Sequence, residues 1–320
     1  MEICRYINRE DEMIDSLKEK IIEKTNATVL ANESMDNHTT YGIGGPAELF
    51  VLPSSKQDLI DTVRMSRDYK QPITIIGSGS NLLISDNGIK GVVISIKHCL
   101  KEIHIDKEKV YVECGVILSK MVRESMKNNL KGLENLIGVP GTLGGALIMN
   151  AGAWGGEISE NLETVEMLNE ENKITLLSKK DIDFSYRSSS FAKESILLAA
   201  TFKLEKSPKE LIQDNFDVAR SGRKNTQPLN YRSAGSVFKN PSSEHSAGML
   251  IDQAGLKGFS VGDAEISNKH ANFFVNNGRA KANDMLALIK KAKNTVKEKF
   301  NIDLELEVKL LGFDVKEMSE

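Results

Sequence analysis

The chain has 320 residues, of which 40% are hydrophobic and 27% are charged, and its formal net charge is −3. This length predicts about two domains, and the composition is ordinary for a folded soluble protein. The small net charge gives no electrostatic reason to bind nucleic acid or an anionic membrane, and no apolar run approaches the roughly 20 residues that a membrane-spanning helix needs.

The N-terminal segment, residues 1–25, predicts a single helix. It begins MEICRYINREDEMIDS, which lacks the apolar core of a signal peptide, so we expect a cytoplasmic protein. Over residues 11–24 the hydrophobic side chains fall on one helical face, namely Met13, Ile14, Leu17, Ile21 and Ile22.

Strands and helices mix along the next part of the chain. After a short apolar strand that stops at Pro53, Ser55 is a candidate cap for a helix that turns Leu59, Ile60 and Val63 inward. A second helix is predicted over residues 117–130, ending at Gly132. Further strands are predicted at 73–76, 92–96, from 110, 163–169, 174–177 and 196–203.

The C-terminal part begins with Ser207-Pro208, which is typical of a helix start and predicts a new structural unit. It continues with a strand AGSVFKNP, a helix over 246–254, a strand ANFFVNN, a helix over 283–299 and a closing strand DLELEVKLL. Because strands and helices do not alternate strictly, we predict an α+β fold in two parts with a boundary near 205.

Two glycine-rich loops are candidates for a ligand cradle. The first, Gly77 to Asn81, follows a buried strand and can present backbone N–H groups to a phosphate, although a plain surface turn has the same composition. The second contains Gly141, Thr142 and Gly145. Together they predict a long ligand with several phosphates or a flat ring. Neither loop matches a P-loop or a GxGxxG fingerprint, so the residues alone indicate a nucleotide or dinucleotide ligand in an unusual cradle.

The cysteines and histidines do not predict a metal site. Cys4, Cys99 and Cys114 are far apart, with neither disulfide-framework nor zinc spacing, and the five histidines are scattered without an HExxH motif. We interpret the three cysteines as reduced, partly buried thiols.

Several motifs together resemble one family. YGIGGPAELFV, IIGSGSNLLISDNG, GVPGTLGGALIMNAGAWGGEI, FSYRSSSF, YRSAGSVFKNP and LELEVKLLG occur in the order found in the UDP-N-acetylenolpyruvoylglucosamine reductases, flavoenzymes that make UDP-N-acetylmuramate for peptidoglycan. The resemblance covers the chain from about Thr39 onward. It is closest to the shorter subtype, which lacks an inserted tyrosine-bearing loop.

The resemblance implies a fold and a domain division. After the helix of residues 1–25, residues 26–205 would form an FAD-binding domain of the vanillyl-alcohol-oxidase (PCMH) type in two lobes. Residues 206–320 would form a C-terminal α+β substrate-binding domain. The glycine loops carry no histidine for a covalent flavin bond, so the FAD is expected to be non-covalent.

The resemblance also implies the reaction: NADPH reduces FAD, and hydride from flavin N5 reduces the enolpyruvyl ether of UDP-N-acetylglucosamine-enolpyruvate. Ser236 matches the proton donor, although without its flanking motifs it would be interpreted as a turn serine. Arg187 matches an arginine on the substrate carboxylate. Glu307 matches a catalytic glutamate, whereas the alternation in DLELEVKLL predicts only that it shares a solvent face with Glu305. For Glu307 to act beside developing negative charge, we expect its pKa to be raised.

Ligand-binding residues carry over from the same resemblance. Those implied to hold FAD are Ile76, Gly77, Ser78, Gly79, Ser80, Asn81, Leu82, Gly141, Thr142, Gly145 and Ala146. Those implied to hold substrate are Lys224, Tyr231, Asn240, Lys257 and His270. No metal, nucleic-acid or membrane partner is implied, and we expect a monomer or weak oligomer.

Two other functions stay open on the sequence. The scaffold also suits a flavin-dependent sugar or alcohol oxidase that reduces oxygen without NADPH. A non-catalytic nucleotide-sugar binding protein could keep the cradle without turnover, but the joint presence of Arg187, Ser236 and Glu307 argues against it.

Overall fold

The computed structural model describes the backbone of residues 2–314 and the side chains from residue 12 onward to the same end. Its α-helices are α1 (Glu2–Lys24), α2 (Lys56–Asp68), α3 (Leu118–Lys127), α4 (Leu143–Ile148), α5 (Lys209–Thr226), α6 (Ala247–Gln253) and α7 (Ala282–Phe300).

The strands, in chain order, are β1 (Thr28–Ser34), β2 (Pro46–Leu52), β3 (Ile73–Ile76), β4 (Leu82–Ile84), β5 (Ile89–Ser95), β6 (Ile103–Asp106), β7 (Lys109–Glu113), β8 (Leu130–Lys131), β9 (Gly152–Ala153), β10 (Gly156–Glu157), β11 (Leu162–Leu168), β12 (Ile174–Ser178), β13 (Phe184–Ser185), β14 (Ser188–Ser189), β15 (Ile196–Lys203), β16 (Glu205–Lys206), β17 (Ser260–Val261), β18 (Ala264–Ile266), β19 (Phe274–Asn276) and β20 (Lys309–Leu311). Short 3₁₀ turns join several of them.

The chain forms two compact units, each made of several segments. Unit 1 comprises Met1–Glu33, Ala47–Gly77 and Lys90–Ala219, and unit 2 comprises Ser34–Pro46, Ser78–Ile89 and Arg220–Glu320. The division into domains at residues 25 and 205 stays a prediction.

Unit 1 is built on two sheets. One has the order β1-β2-β5-β3 with β3 and β5 parallel, and the other has the order β12-β11-β15-β7-β6 with antiparallel pairing throughout. Strand β15 reads ILLAATFK, lies in the middle of its sheet and is buried along most of its length, because its apolar side chains pack into the core. These strands share one hydrophobic core with α2 and α3.

The helices of unit 1 follow most of the sequence predictions. The Oγ of Ser55 accepts the N–H of Asp58 at 3.0 Å, which confirms the predicted cap. In α1, Leu17 and Ile21 are fully buried, whereas Met13 and Ile22 are exposed, so the buried face is narrower than predicted. Helix α3 ends at Lys127 rather than near Gly132, because Asn129 already adopts the left-handed conformation with a φ of 54°.

Unit 2 combines the sheet β17-β18-β19, the parallel pair β20-β4 and helix α7 around a second core. Helix α7 confirms the helix predicted over residues 283–299. The prediction of a strand at AGSVFKNP is wrong. Residues 234–241 form only isolated β-bridges, one between Ser236 and Phe273 and one between Phe238 and Leu306. The predicted closing strand is reduced to β20. The regular ladder fails because a side chain, that of Asn272, occupies the main-chain groups of Phe238.

The described cysteines are buried and reduced. Cys99 and Cys114 are buried free thiols, and burial raises the pKa of Cys99 to about 12, while the side chain of Cys4 lies outside the described ones. Among the residues described, no group of three or more His, Cys, Asp or Glu could hold a metal ion. Within that same part of the chain, no helix has the length and apolar character to span a bilayer.

Candidate active site

The two predicted glycine loops meet inside unit 1. A Cβ on Gly77 would lie 2.2 Å from the Oγ1 of Thr142, which real Cβ atoms do not approach. The side chain of Thr142 is buried, and its Oγ1 has no hydrogen-bond partner. Only glycine at 77 lets the main chain pack this closely against the unpartnered hydroxyl group of Thr142.

In unit 2, Ser78 to Leu82 continue the first loop. Gly79 has a φ of 63°, and a Cβ there would lie 2.1 Å from the carbonyl oxygen of His38. The Oγ of Ser78 is buried without a partner. The Nδ2 of Asn81 donates to the carbonyl oxygen of Glu307 at 3.0 Å, and the role of Asn81 in holding FAD stays a prediction.

The second predicted loop is partly helical. Gly141 has a φ of 120°, and α4 begins at Leu143, so Gly145 and Ala146 lie in a helix rather than in a loop. A Cβ on Gly145 would meet nothing closer than the Oγ1 of Thr142 at 3.9 Å. The space beside Gly145 is therefore open, unlike the space beside Gly77.

These features fit a phosphate-rich ligand such as FAD. Ser78 and Thr142 each carry a buried hydroxyl that can donate to an acceptor. Gly77 in unit 1 and Gly79 in unit 2 lie where a Cβ would collide with neighbouring protein atoms, so the main chain packs tightly at both positions. The buried hydroxyl in each unit is a donor of the kind that binds a pyrophosphate.

We expect Gly77→Ala to weaken FAD binding at least about tenfold, because the new methyl group must displace the hydroxyl of Thr142. The measurement is the dissociation constant of FAD, followed by flavin fluorescence. Gly278→Ala adds the same methyl group at an exposed position, where nothing lies closer than the Oδ2 of Asp263 at 3.4 Å, and should bind FAD within about twofold of the parent. Equal affinities for both variants would contradict the role of Gly77.

Arg187 lies in unit 1 at the turn between β13 and β14, with Ser185 paired to Ser188 on either side. Its φ of 55° is rare for a residue other than glycine and places strain at this turn. The guanidinium donates from Nη2 to the carbonyl oxygen of Gly152 at 3.1 Å and stacks 4.9 Å from the ring centre of Tyr186. Arg187 as a whole is half-buried.

In unit 2, the main chain of Val237, the residue after Ser236, links the segment of Ser236 to Glu307. The carbonyl oxygen of Val237 accepts the N–H of Glu307 at 2.8 Å. Glu307 is half-buried. Glu305, by contrast, is 74% exposed at its side chain and pairs with Lys239 at 2.6 Å. The two glutamates therefore occupy different environments, although the alternation predicted one shared face.

A cavity of about 390 Å³ in unit 2 collects four of the predicted residues, Ser236, Asn240, Lys257 and His270. Its remaining wall is formed by Ser246, Gly248, Met249, Asp252, Lys269, Ala271 and Asn272. Lys257 pairs with Asp252 at 2.6 Å, so its charge is already partly neutralised.

Two predicted substrate residues are not part of this wall. Lys224 is exposed, and its carbonyl oxygen accepts the Nζ of Lys269 at 2.8 Å. Tyr231 is 56% exposed. Lys269 and Asp252 were not predicted. Lys269 directly precedes His270 in KHANFFVN, and that adjacency is the signal that could have identified it.

His270 is half-buried, with its ring 4.8 Å from that of Phe273. The N–H of Asn272 donates to Nδ1 at 3.3 Å, so the neutral ring carries its proton on Nε2. Burial lowers the pKa of His270, and the nearby charge of Lys257 lowers it further. The histidine is therefore kept neutral beside the cavity.

This lowered pKa predicts a pH effect on stability. Below the unfolded pKa of about 6.5 the unfolded chain binds the extra proton more readily, so wild-type stability should fall as the pH drops towards the folded pKa. In His270→Gln the free energy of urea unfolding should fall less between pH 7.5 and 5.5. A tenfold difference in proton affinity between the two states corresponds to about 1.4 kcal/mol. His245→Gln, at an exposed position, should keep the wild-type pH dependence. An identical slope in His270→Gln and wild type would refute the effect.

Comparisons with known proteins agree with one another. Residues 227–311 match the family model "UDP-N-acetylenolpyruvoylglucosamine reductase, C-terminal domain", and residues 47–178 match the model "FAD binding domain". The chain is 42% identical to UDP-N-acetylenolpyruvoylglucosamine reductase of Clostridium novyi, covering 93% of this chain and 96% of that protein. It is also 42% identical to that of Bacillus subtilis, over 94% and 99% respectively.

A solved structure gives the same result. The crystal structure of UDP-N-acetylenolpyruvylglucosamine reductase from Thermus caldophilus superposes with a TM-score of 0.75 at 35% identity, covering 89% of this chain and 99% of that one. Together with the family models, it confirms the prediction of an FAD-binding domain and a separate C-terminal domain.

Proposed function

This chain belongs to the UDP-N-acetylenolpyruvoylglucosamine reductase family, and we propose that it reduces UDP-N-acetylglucosamine-enolpyruvate to UDP-N-acetylmuramate with electrons from NADPH. The observation that carries the proposal is the cavity of unit 2, which brings Ser236 together with Asn240, Lys257 and His270. An alcohol among amide, ammonium and imidazole groups suits an anionic substrate that must receive a proton.

The chemistry needs one hydride and one proton. FAD, when bound and reduced by NADPH, supplies the hydride to the terminal methylene of the enolpyruvyl ether. Ser236 donates the proton to the adjacent carbon, which has become strongly basic. A hydroxyl is a weak acid, but its position on the cavity wall matters more than its pKa because the accepting carbon is a strong base.

Charge must be stabilised between the two transfers. Negative charge develops at the carbon beside the carboxylate and spreads into it as an enediolate. Arg187 is assigned to the carboxylate, since a guanidinium stays charged and forms two parallel hydrogen bonds. Glu307 is assigned to the enediolate as a protonated or proton-sharing carboxyl, and its half-buried position supports this role.

The remaining polar residues are assigned to binding. Lys257 and Asn240 line the cavity and suit the pyrophosphate of a nucleotide sugar. His270 would donate from Nε2 without adding positive charge. Lys224 and Tyr231 are both exposed, and their contacts with the substrate stay a prediction.

The product implies a biological setting. UDP-N-acetylmuramate is a precursor of peptidoglycan, so the enzyme would serve cell-wall synthesis, cell shape and division. NADPH and a nucleotide sugar as substrates support a cytoplasmic location. A monomer or weak oligomer stays the expected state.

An anaerobic flavin titration tests the proposal. The purified protein should be yellow, bleach on addition of NADPH and regain its colour on addition of the enolpyruvyl nucleotide sugar without oxygen. Colour that returns only with oxygen would indicate an oxidase instead. A colourless protein that binds the nucleotide sugar would indicate a binding protein and overturn the proposal.

A further inference from the structure

The side chain of Asn272 replaces a strand neighbour for the segment that carries Ser236. Asn272 is 3% exposed. Its Oδ1 accepts the N–H of Phe238 at 2.9 Å, and its Nδ2 donates to the carbonyl oxygen of Phe238 at 2.8 Å. Its own carbonyl oxygen accepts the N–H of Val237 at 2.9 Å. One residue thus satisfies three main-chain groups of two adjacent residues, the N–H of Val237 and both the N–H and the carbonyl of Phe238.

The orientation of this amide is fixed by its partners. If the amide were flipped, Oδ1 of Asn272 would face the carbonyl oxygen of Phe238, and Nδ2 would face the N–H of Phe238. Both hydrogen bonds would then be lost. A side-chain amide carries the same donor and acceptor as a peptide group. It can therefore pair with Phe238 as a neighbouring strand would, without continuing the ladder.

The opposite edge of the same segment is bound to the residues around Glu307. The carbonyl oxygen of Val237 accepts the N–H of Glu307 at 2.8 Å and that of Val308 at 3.2 Å. The N–H of Lys239 donates to the carbonyl oxygen of Glu305 at 2.8 Å. Val237 therefore joins Asn272 through its N–H and Glu307 through its carbonyl oxygen.

We propose that Asn272 is a positioning residue that sets the placement of both Ser236 and Glu307. The proposal rests on the function proposed above and extends it to a residue that donates no proton to the substrate. Small displacements of a proton donor reduce turnover strongly, since a shift of about 1 Å can cost about 100-fold. Loss of the Asn272 amide should therefore lower turnover through Ser236 rather than through substrate affinity.

The first test is Asn272→Asp, which keeps size and acceptor but turns the donor into an oxygen facing the carbonyl of Phe238. We expect kcat to fall at least about tenfold, KM to stay within about threefold, and FAD reduction by NADPH to be unchanged. In a Ser236→Ala background the same change should lower kcat at least about threefold less than it does in the parent, because one of the two groups that Asn272 positions is gone. Additive losses in the double variant would overturn the proposal.

A matched control is Asn276→Asp. Asn276 is also buried. Its Nδ2 donates to the carbonyl oxygen of Tyr41 at 2.9 Å, and its Oδ1 accepts the N–H groups of Gly278 and Ala280, so none of these three bonds reaches residues 236–239. The Asn276→Asp variant should be less stable than the parent but should keep the parental kcat. A fall in kcat equal to that of Asn272→Asp would show a general effect of unfolding and overturn the proposal.

Amide hydrogen exchange gives a readout that does not depend on turnover. Asn272→Asp, or Asn272→Ala if the first variant does not fold, should speed exchange at Val237 and Phe238 at least about tenfold and leave α7 unchanged. Two outcomes would overturn the positioning role. One is faster amide exchange at Val237 and Phe238 while the variant keeps the parental kcat, and the other is a loss of kcat while amide exchange stays as in the parent. If Ser236→Ala keeps parental turnover, the proposed proton donor fails instead, and exchange alone still decides whether Asn272 clamps this segment.

Discussion

Ser236→Ala is expected to lower kcat for reduction of the enolpyruvyl substrate by about 100- to 10,000-fold, the usual contribution of a positioned proton donor. Its backbone bridge to Phe273 does not involve the hydroxyl, so the substitution should leave the segment in place. FAD binding and the bleaching of the flavin by NADPH should match the parent. Stopped-flow absorbance separates the two half-reactions and assigns the loss to the second one.

The control for this variant is Ser260→Ala. Ser260 is an exposed serine of the same unit whose Oγ donates only to the carbonyl oxygen of Gly258, and its loss should leave both half-reactions unchanged. If Ser236→Ala reoxidises its flavin with substrate at the parental rate, the proton comes from another group. The cavity would then serve binding alone.

The regular elements could be predicted from local pattern, and the segments at the site could not. Helix α7 and strand β15 carry their own periodicity and appear where it predicts them. Residues 234–241 have the composition of a strand, but Asn272 pairs with Phe238 across 34 positions of sequence. No window around Phe238 contains that partner, so local pattern predicts a ladder that does not form.

Local sequence pattern also fails to distinguish between the charged residues of the candidate site. Alternation treats Glu305 and Glu307 alike, whereas the fold gives Glu305 an ion pair with Lys239 and ties the main chain of Glu307 to Val237. Resemblance selected Ser236, Lys257 and His270, which the cavity of unit 2 brings together. Asp252 was missed because its pairing with Lys257 depends on the path of the chain after α6 ends at Gln253, which local pattern does not define.

The difference between the two glutamates leads to the second large expected effect. Glu307→Gln should lower kcat by about 100- to 1,000-fold, the usual cost of removing one group that stabilises transition-state charge. Glutamine keeps the size of the side chain but cannot hold or share the proton that an enediolate requires from a neighbouring carboxyl group. The loss should therefore appear in kcat more than in KM.

The pH–rate profile tests this role of Glu307 directly. If the carboxyl acts while protonated, parental kcat should fall as that proton is lost with rising pH, and Glu307→Gln should lack that limb because an amide does not titrate. Glu305→Gln removes the same charge from a 74% exposed side chain paired with Lys239. Exposed ion pairs contribute little, so this control should keep both parental kcat and the parental profile. Full activity of Glu307→Gln across the pH range would refute the assignment, since the two glutamates would then be equivalent.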